Sequence, residues 1–201
     1  MDASIPPPSS DLREHAAQLL AALAAVASLG IEDARRVVDV MVPAFVAAGT
    51  LVIEEGDAKN NDFMMLVLEG DVRAENVTPM PGEEVVISVI GPGHLIGEMG
   101  VIDNAPRSAR CTAITDLKLA VLSREALLKL TDTHPSAAAR LLFAVSHGLA
   151  ERLRDANRRL RGLAQVNHAM LHELDATHAV NKRLLDNEDS RHGDSRPFDT
   201  R

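Results

Sequence analysis

Between Gly97 and Cys111 the chain reads GEMGVIDNAPRSARC. Two glycines, the acid Glu98 and the arginine Arg107 stand close together there, just after a run of strand-forming residues, EEVVISVI (Glu83 to Ile90), and a GPG turn (Gly91 to Gly93). A short helix opening near Gly97 turns its free backbone N–H groups, and the positive end of its dipole, toward whatever lies before it, which favours an anion. Gly97 and Gly100 let the backbone approach a ligand closely. Arg107 supplies a two-pronged hydrogen-bonding fork of the kind that fits a phosphate. Met99 lies between the glycines, and Ser108 and the backbone N–H of Ala109 add neutral donors. No lysine is near and no GxxxxGK[ST] pattern occurs, so the stretch suits one negative charge better than a triphosphate with Mg²⁺.

Glu98 decides what kind of anion fits. A carboxylate beside a phosphate site repels the ligand unless it also accepts a hydrogen bond from it, as from a sugar hydroxyl, while pairing with a cation. A singly charged phosphate joined to a ribose with a free 2′-hydroxyl is a 3′,5′-cyclic nucleotide. On this reading Arg107→Ala removes the guanidinium assigned to the phosphate and is expected to abolish binding while leaving the fold intact.

Outward from this stretch the texture is β-rich from Phe45 to Leu122. Glycines punctuate it, and short apolar runs occur at Leu51 to Ile53, Phe63 to Leu68 and Val85 to Ile90. Such spacing predicts a small β-barrel or jelly roll. Before it, residues 1–10 are rich in Pro and Ser and are read as disordered. Residues 11–42 are read as N-terminal helices, one over Asp11 to Leu29 opened by the Asp11/Glu14 pattern and stopped at Gly30, the other over Ile31 to Met41. The barrel is assigned to 43–135, a long helix to 136–186 and a polar tail to 187–201, with Ser123 as the N-cap where the chain turns helical again. The fold class is therefore α+β.

The long helix carries two interlocked heptad series. One is Leu142, Leu149, Ala156, Leu163, Met170, Thr177 and Leu184; the other is Ser146, Leu153, Leu160, Asn167, Leu174 and Asn181. This is the pattern of a coiled-coil seam, and the asparagines fall where a buried amide selects register and a dimer. At about 1.5 Å per residue the helix is about 65 Å long, more than a small barrel needs, so a homodimer through this helix is expected.

Composition excludes several classes. The chain has 201 residues, a formal charge of −8, one cysteine (Cys111), and neither Trp nor Tyr. An acidic chain without those rings is a poor wrapper of nucleic acid. No apolar stretch has the length and side-chain size of a bilayer span, and the start MDASIPPPSS has no secretory pattern. A lone cysteine cannot form an internal disulfide, which fits a cytoplasmic location. Cys111 is expected as a small buried hydrophobe. His168 and His172 are four apart, but no third ligand or HExxH glutamate accompanies them, so they are read as solvent-exposed. The basic run Arg152, Arg154, Arg158, Arg159 and Arg161 is read as the solvated face of the coiled coil. No catalytic constellation stands out, and the chain is not expected to be an enzyme.

The stretch GEMGVIDNAPRSAR closely resembles the phosphate-binding cassette of cyclic nucleotide-binding domains, roughly G-E-[LM]-[AG]-[LV] followed by P-R-[AST]-A. FVAAGTLVIEEGD resembles that family's glycine-marked opening strands, and MMLVLEGDVRA its hairpin, so the resemblance runs from about Val37 to Leu160. It implies that Gly97, Glu98, Met99, Gly100, Arg107, Ser108 and Ala109 surround the phosphate and ribose. It also places Arg152, Ala156 and Asn157 of the long helix near the base. Ser108, where cGMP-selective members more often carry Thr, is similar to cAMP-binding members, so cAMP is the expected ligand, with cGMP or a cyclic dinucleotide ranked behind it. The chain looks like the sensor portion of bacterial transcription regulators of the cAMP receptor protein and FNR type. After Leu160 about forty residues remain, and they continue the heptads, so direct DNA reading is not expected. The resulting expectation is a stand-alone cyclic-nucleotide sensor that signals through a dimeric helix to an unidentified protein partner. Two alternatives stand beside it: a nucleic-acid-associated regulator without its own helix-turn-helix, and a structural dimer with a vestigial pocket.

Overall fold

The computed structural model describes residues 10–23, 28–77 and 84–192. The chain forms two compact units, Met1–Leu149 and Ala150–Arg201.

In the first unit, α1 (Ser10–Leu23) and α2 (Ile31–Val38) precede eight strands: β1 (Val42–Val46), β2 (Leu51–Ile53), β3 (Phe63–Glu69), β4 (Val72–Val77), β5 (Glu84–Ile90), β6 (Leu95–Ile96), β7 (Arg110–Ala113) and β8 (Leu117–Ser123). A short helix, α3 (Glu98–Asp103), interrupts the strands, and α4 (Arg124–Thr133) and α5 (Pro135–His192) follow them. The strands pair antiparallel in two four-stranded sheets, ordered β1-β8-β3-β6 and β2-β7-β4-β5. This is the double-sheet architecture that the spacing of short strands predicts.

β3 is buried on both faces, which explains its unbroken apolar run FMMLVLE. Met65 and Val67 join Ile53, Val72, Ala74, Ile96, Cys111, Ala113, Leu117 and Leu119 in one apolar cluster. Met64, Leu66 and Leu68 point the other way, into a second cluster with Ala16, Ala17 and Leu20 of α1, Ala34, Val37 and Val38 of α2, and Leu127 and Leu130 of α4. Ala137, Ala138, Leu141, Ala144 and Val145 at the start of α5 belong to that second cluster. The unit boundary therefore falls at Leu149 rather than at residue 136, because the first turns of α5 are core.

Several helix ends differ from the sequence reading. Of the expected helix Asp11 to Leu29 the described part is α1, up to Leu23, and residues 24–27 lie outside the described ones; Ser28 takes a left-handed φ of 54° that no right-handed helix accommodates, so the helix does not reach Leu29. Gly30 does not stop that helix but stands as the N-cap of α2. α2 stops at Val38, short of Met41, where tighter turns carry the chain into β1: Val40 N–H bonds the Val37 carbonyl at 3.2 Å and Met41 N–H that of Val38 at 3.0 Å. Ser123 caps α4 as expected, its hydroxyl accepting from the Ala126 N–H at 3.1 Å. The long helix runs to His192, six residues into the stretch read as a tail, since no glycine or proline intervenes before Gly193. Residues 1–9 and 193–201, read as disordered, lie outside the described ones.

In the second unit every described residue from Ala150 to His192 is helical, and every side chain from Glu151 to Ala179 is exposed. Leu153, Leu160, Leu163, Met170 and Leu174 of the heptad series are between 51% and 63% exposed, and so are Val166 and Leu171, which the two series omit. The arginines of the basic run are exposed too, with Arg158 paired to Asp155 one turn away. His168 and His172 are exposed and their rings meet edge to face at 4.4 Å. Among the described residues no group of three or more His, Cys, Asp or Glu side chains is placed to hold a metal ion, and no helix is long and apolar enough to cross a membrane.

Candidate functional site

The stretch Gly97 to Ala109 leaves β6, forms α3 and returns as a loop into β7. Gly97 caps the N-terminus of α3 in the left-handed conformation, φ 76°, and Asn104 caps its C-terminus in the same region, φ 59°. Both glycines lie against their surroundings. A Cβ on Gly97 would stand 2.7 Å from Arg107 Nη1 and 3.2 Å from the Phe63 carbonyl oxygen, and one on Gly100 would stand 2.7 Å from the Asn61 carbonyl oxygen. Neither position admits a side chain without rearrangement, so the sequence signal of paired glycines reflects close packing of backbone on backbone.

Arg107 is only 4% exposed. Its Nε donates to the Asn60 carbonyl at 2.9 Å, Nη1 to that of Gly97 at 2.7 Å and Nη2 to that of Phe63 at 2.9 Å. The guanidinium also lies over the Phe63 ring, 4.5 Å from its centre. Its backbone is fixed as well: its N–H bonds the Asp57 carbonyl at 3.0 Å and its carbonyl accepts from Gly56 at 2.8 Å. Burial pulls its pKa below the ordinary arginine value, and the charge of Asp62 is the largest influence acting the other way. The expectation that Arg107→Ala would leave the fold intact needs correcting, because this side chain ties the β2–β3 connection to the entrance of α3. Three of the five guanidinium N–H groups are used in these bonds; one on each terminal nitrogen remains for an anion. A buried cation ringed by neutral carbonyls, with two donors in reserve, fits a ligand carrying one phosphate charge.

Glu98, the first residue of α3, is also 4% exposed. Met99 beside it is 42% exposed. Ser108 is exposed, and its hydroxyl donates to the Met99 sulfur at 3.4 Å, a weak acceptor. Ala109 follows at half burial. The structure thus gathers Gly97, Glu98, Met99, Gly100, Arg107, Ser108 and Ala109 in one short segment of the first unit. Arg152, Ala156 and Asn157 are exposed residues of the second unit.

Two residues of this site were not found by sequence reasoning. Asn61 is buried and its amide donates to the Asn104 and Ala105 carbonyls, both at 3.0 Å, closing the end of α3. Arg124, the first residue of α4, donates through Nη2 to the Gly100 carbonyl. The doubled asparagine in DAKNNDF, ahead of a strand, is the only hint of the first. Nothing local marks the second.

The profile of the cyclic nucleotide-binding domain family matches residues 43–134. A solved N-terminal domain of a transcriptional regulator from Streptomyces coelicolor is 33% identical, with a TM-score of 0.57 over 71% of this chain and 94% of that one. The chain belongs to the cyclic nucleotide-binding domain family. A cyclic nucleotide-binding domain from Methylobacillus flagellatus superposes with a TM-score of 0.67 at 28% identity, covering 74% of this chain and 82% of that one. The cyclic AMP receptor protein of Thermus thermophilus is 36% identical over 109 residues, which are 54% of this chain and 47% of that protein. The chain spans about half the length of the curated relatives it matches. The stretch GEMGVIDNAPRSAR falls inside the matched residues.

Proposed function

We propose that this chain is a cyclic-nucleotide sensor whose preferred ligand is cAMP. The observation that carries the reading is the buried pair of Glu98 and Arg107 on a cassette whose two glycines cannot accept a side chain. Burying charge is costly unless it is matched, and Arg107 retains two N–H donors that only an acceptor can match. In this role Arg107, the Ser108 hydroxyl and the backbone N–H of Ala109 hold the phosphate. Glu98 accepts from the ribose 2′-hydroxyl, and Gly97, Met99 and Gly100 form the wall beside it. Ser108 favours cAMP over cGMP, and kinship with a cyclic AMP receptor protein supports that order. A cyclic dinucleotide remains the third choice.

The exposed leucines of the second unit support a further part of the reading: two copies of the chain pair through the helix, and ligand binding at each barrel is reported through that helix to a protein partner. This reading is regulatory, not catalytic, and places the protein in the cytoplasm. A thermal-shift panel of cAMP, cGMP and cyclic dinucleotides tests it. The expected result is a rise in Tm with all that bind and the largest rise with cAMP. No shift with any of them leaves the vestigial-pocket alternative standing, and steeply salt-dependent retention on DNA favours the nucleic-acid alternative.

A further inference from the structure

The first residue of α4 reaches back into the cassette. We infer that Arg124 is a positioning residue that latches the cassette helix α3 to α4 and thereby sets ligand affinity; the affinity part rests on the function proposed above.

Three chain segments meet at this side chain. The β3–β8 register sets Phe63 opposite Ser123, which brings the residue before β3 beside the residue that opens α4. There the Arg124 N–H donates to the Asp62 carbonyl at 2.6 Å, fixing the backbone, while Nη2 extends to the Gly100 carbonyl inside α3. That carbonyl also accepts the Asn104 N–H at 3.1 Å, the bond that closes α3. From the opposite side Gly100 abuts Asn61, whose amide holds the Asn104 and Ala105 carbonyls. The cassette helix is thus wedged between the β2–β3 connection and the start of α4. Val101 of α3 is buried in the same apolar cluster as Leu127 and Leu130 of α4, but apolar contact is non-directional and lets one helix slide along the other. The guanidinium–carbonyl bond is directional, so it fixes the depth and rotation of α3 against α4. Of the side chains that hold cassette carbonyls, Arg107 precedes β7 and Asn61 precedes β3; Arg124 comes from the helix that leads into α5.

A role limited to stability fits this residue poorly. Its Nε is buried without a hydrogen-bond partner among the described residues, which is a cost to the fold. Methionine keeps much of the stem volume and removes both the orphan donor and the charge, so Arg124→Met is not expected to lower global stability. What it removes is the latch.

The test uses the full chain as wild type, Arg124→Met and Arg124→Lys. Amide hydrogen exchange without ligand is expected to accelerate at Val101 to Asn104 in the methionine variant by about tenfold or more, with exchange in β3 and β8 unchanged, and lysine should restore most of the protection. Calorimetry with cAMP should show affinity lowered by about fivefold or more in the methionine variant and largely rescued by lysine. Wild-type exchange across α3 in the methionine variant overturns the latch; altered exchange with wild-type affinity overturns its link to the ligand. If the wild-type chain binds no cyclic nucleotide, the proposed function falls, and the exchange result still decides the latch. Should the methionine variant fail to fold, Arg124→Leu takes its place, and wild-type exchange across α3 in that variant overturns the latch in the same way.

Discussion

At Arg107 one side chain ties together three backbone carbonyls, and in the proposed function it also meets the ligand. Its three carbonyl partners are backbone groups of Asn60, Phe63 and Gly97, so Arg107→Ala removes the donor to all three. A hydrogen bond to a charged group contributes about 1.5–3 kcal/mol, so the variant should lose about 3 kcal/mol or more of stability in denaturant melts, as well as ligand binding. A loss below about 1 kcal/mol would mean that the carbonyls find other donors. At Glu98 the substitution Glu98→Gln separates two roles. If the carboxylate reads the ribose, affinity for cAMP should fall about tenfold, and affinity for the 2′-deoxy analogue should barely change. Equal losses would show that Glu98 acts only by orienting Arg107. Asp57 offers a check on local electrostatics. Its carboxylate accepts from the Asn60 amide at 2.8 Å, the Lys59 N–H at 2.8 Å and the Asn60 N–H at 3.2 Å. These bonds, the Asn60 amide first, hold its pKa below the ordinary aspartate value. A depressed folded pKa stabilises above the unfolded value, and the contribution is lost as pH falls through the folded one. In an NMR titration, Asn60→Ala should raise the Asp57 midpoint toward the ordinary range. An unchanged midpoint would assign the depression to the backbone donors.

Among the elements, the cassette helix depends most on its ends. Gly97→Ala places a Cβ at a left-handed position, costing about 1–2 kcal/mol for the backbone alone, and pushes on Arg107 Nη1 from 2.7 Å. Weakened nucleotide binding together with a lower Tm is expected; a variant with wild-type values of both would show that the packing there is slack. The cassette was legible from sequence because its chemistry is local: glycines, acid, arginine and serine fall within one turn-helix-loop segment. β2, β3 and β5 were legible for a related reason, being apolar runs bounded by turn residues. Asn61 and Arg124 were not, since their partners are backbone carbonyls 43 and 24 residues away, and a carbonyl has the same identity at every position. The left-handed turn at Ser28 was not legible, because an alanine-rich run of high helix propensity leads up to it and the first breaker in the sequence is Gly30. Arg107 was legible as a cation but not as a buried one, because burial comes from packing of the β2–β3 connection over it.

On the scale of the whole molecule, the second unit presents an apolar series with no covering surface in its own helix. Val166 and Leu171 are exposed too, one residue before and four residues after Asn167, and would widen the seam of the proposed pair. In a parallel pair these positions, five residues apart, meet across the interface and shield the asparagine. Replacing Leu153 and Leu160 by Ala removes two large seam residues, each worth about 2–5 kcal/mol when buried. Light scattering should then report a monomer, and the monomer should bind cAMP more weakly if helix and pocket are coupled. A dimer that persists would refute the heptad assignment, and a monomer of unchanged affinity would uncouple pairing from binding. The central claim is that the cassette holds a singly charged cyclic phosphate, and calorimetric titration of the wild-type chain with cAMP and, in parallel, with linear 5′-AMP tests it most directly. Saturable binding of one cAMP per chain, with 5′-AMP weaker by about a hundredfold or undetectable, is the predicted result. Equal affinity for the two nucleotides, or no binding of cAMP, would contradict it.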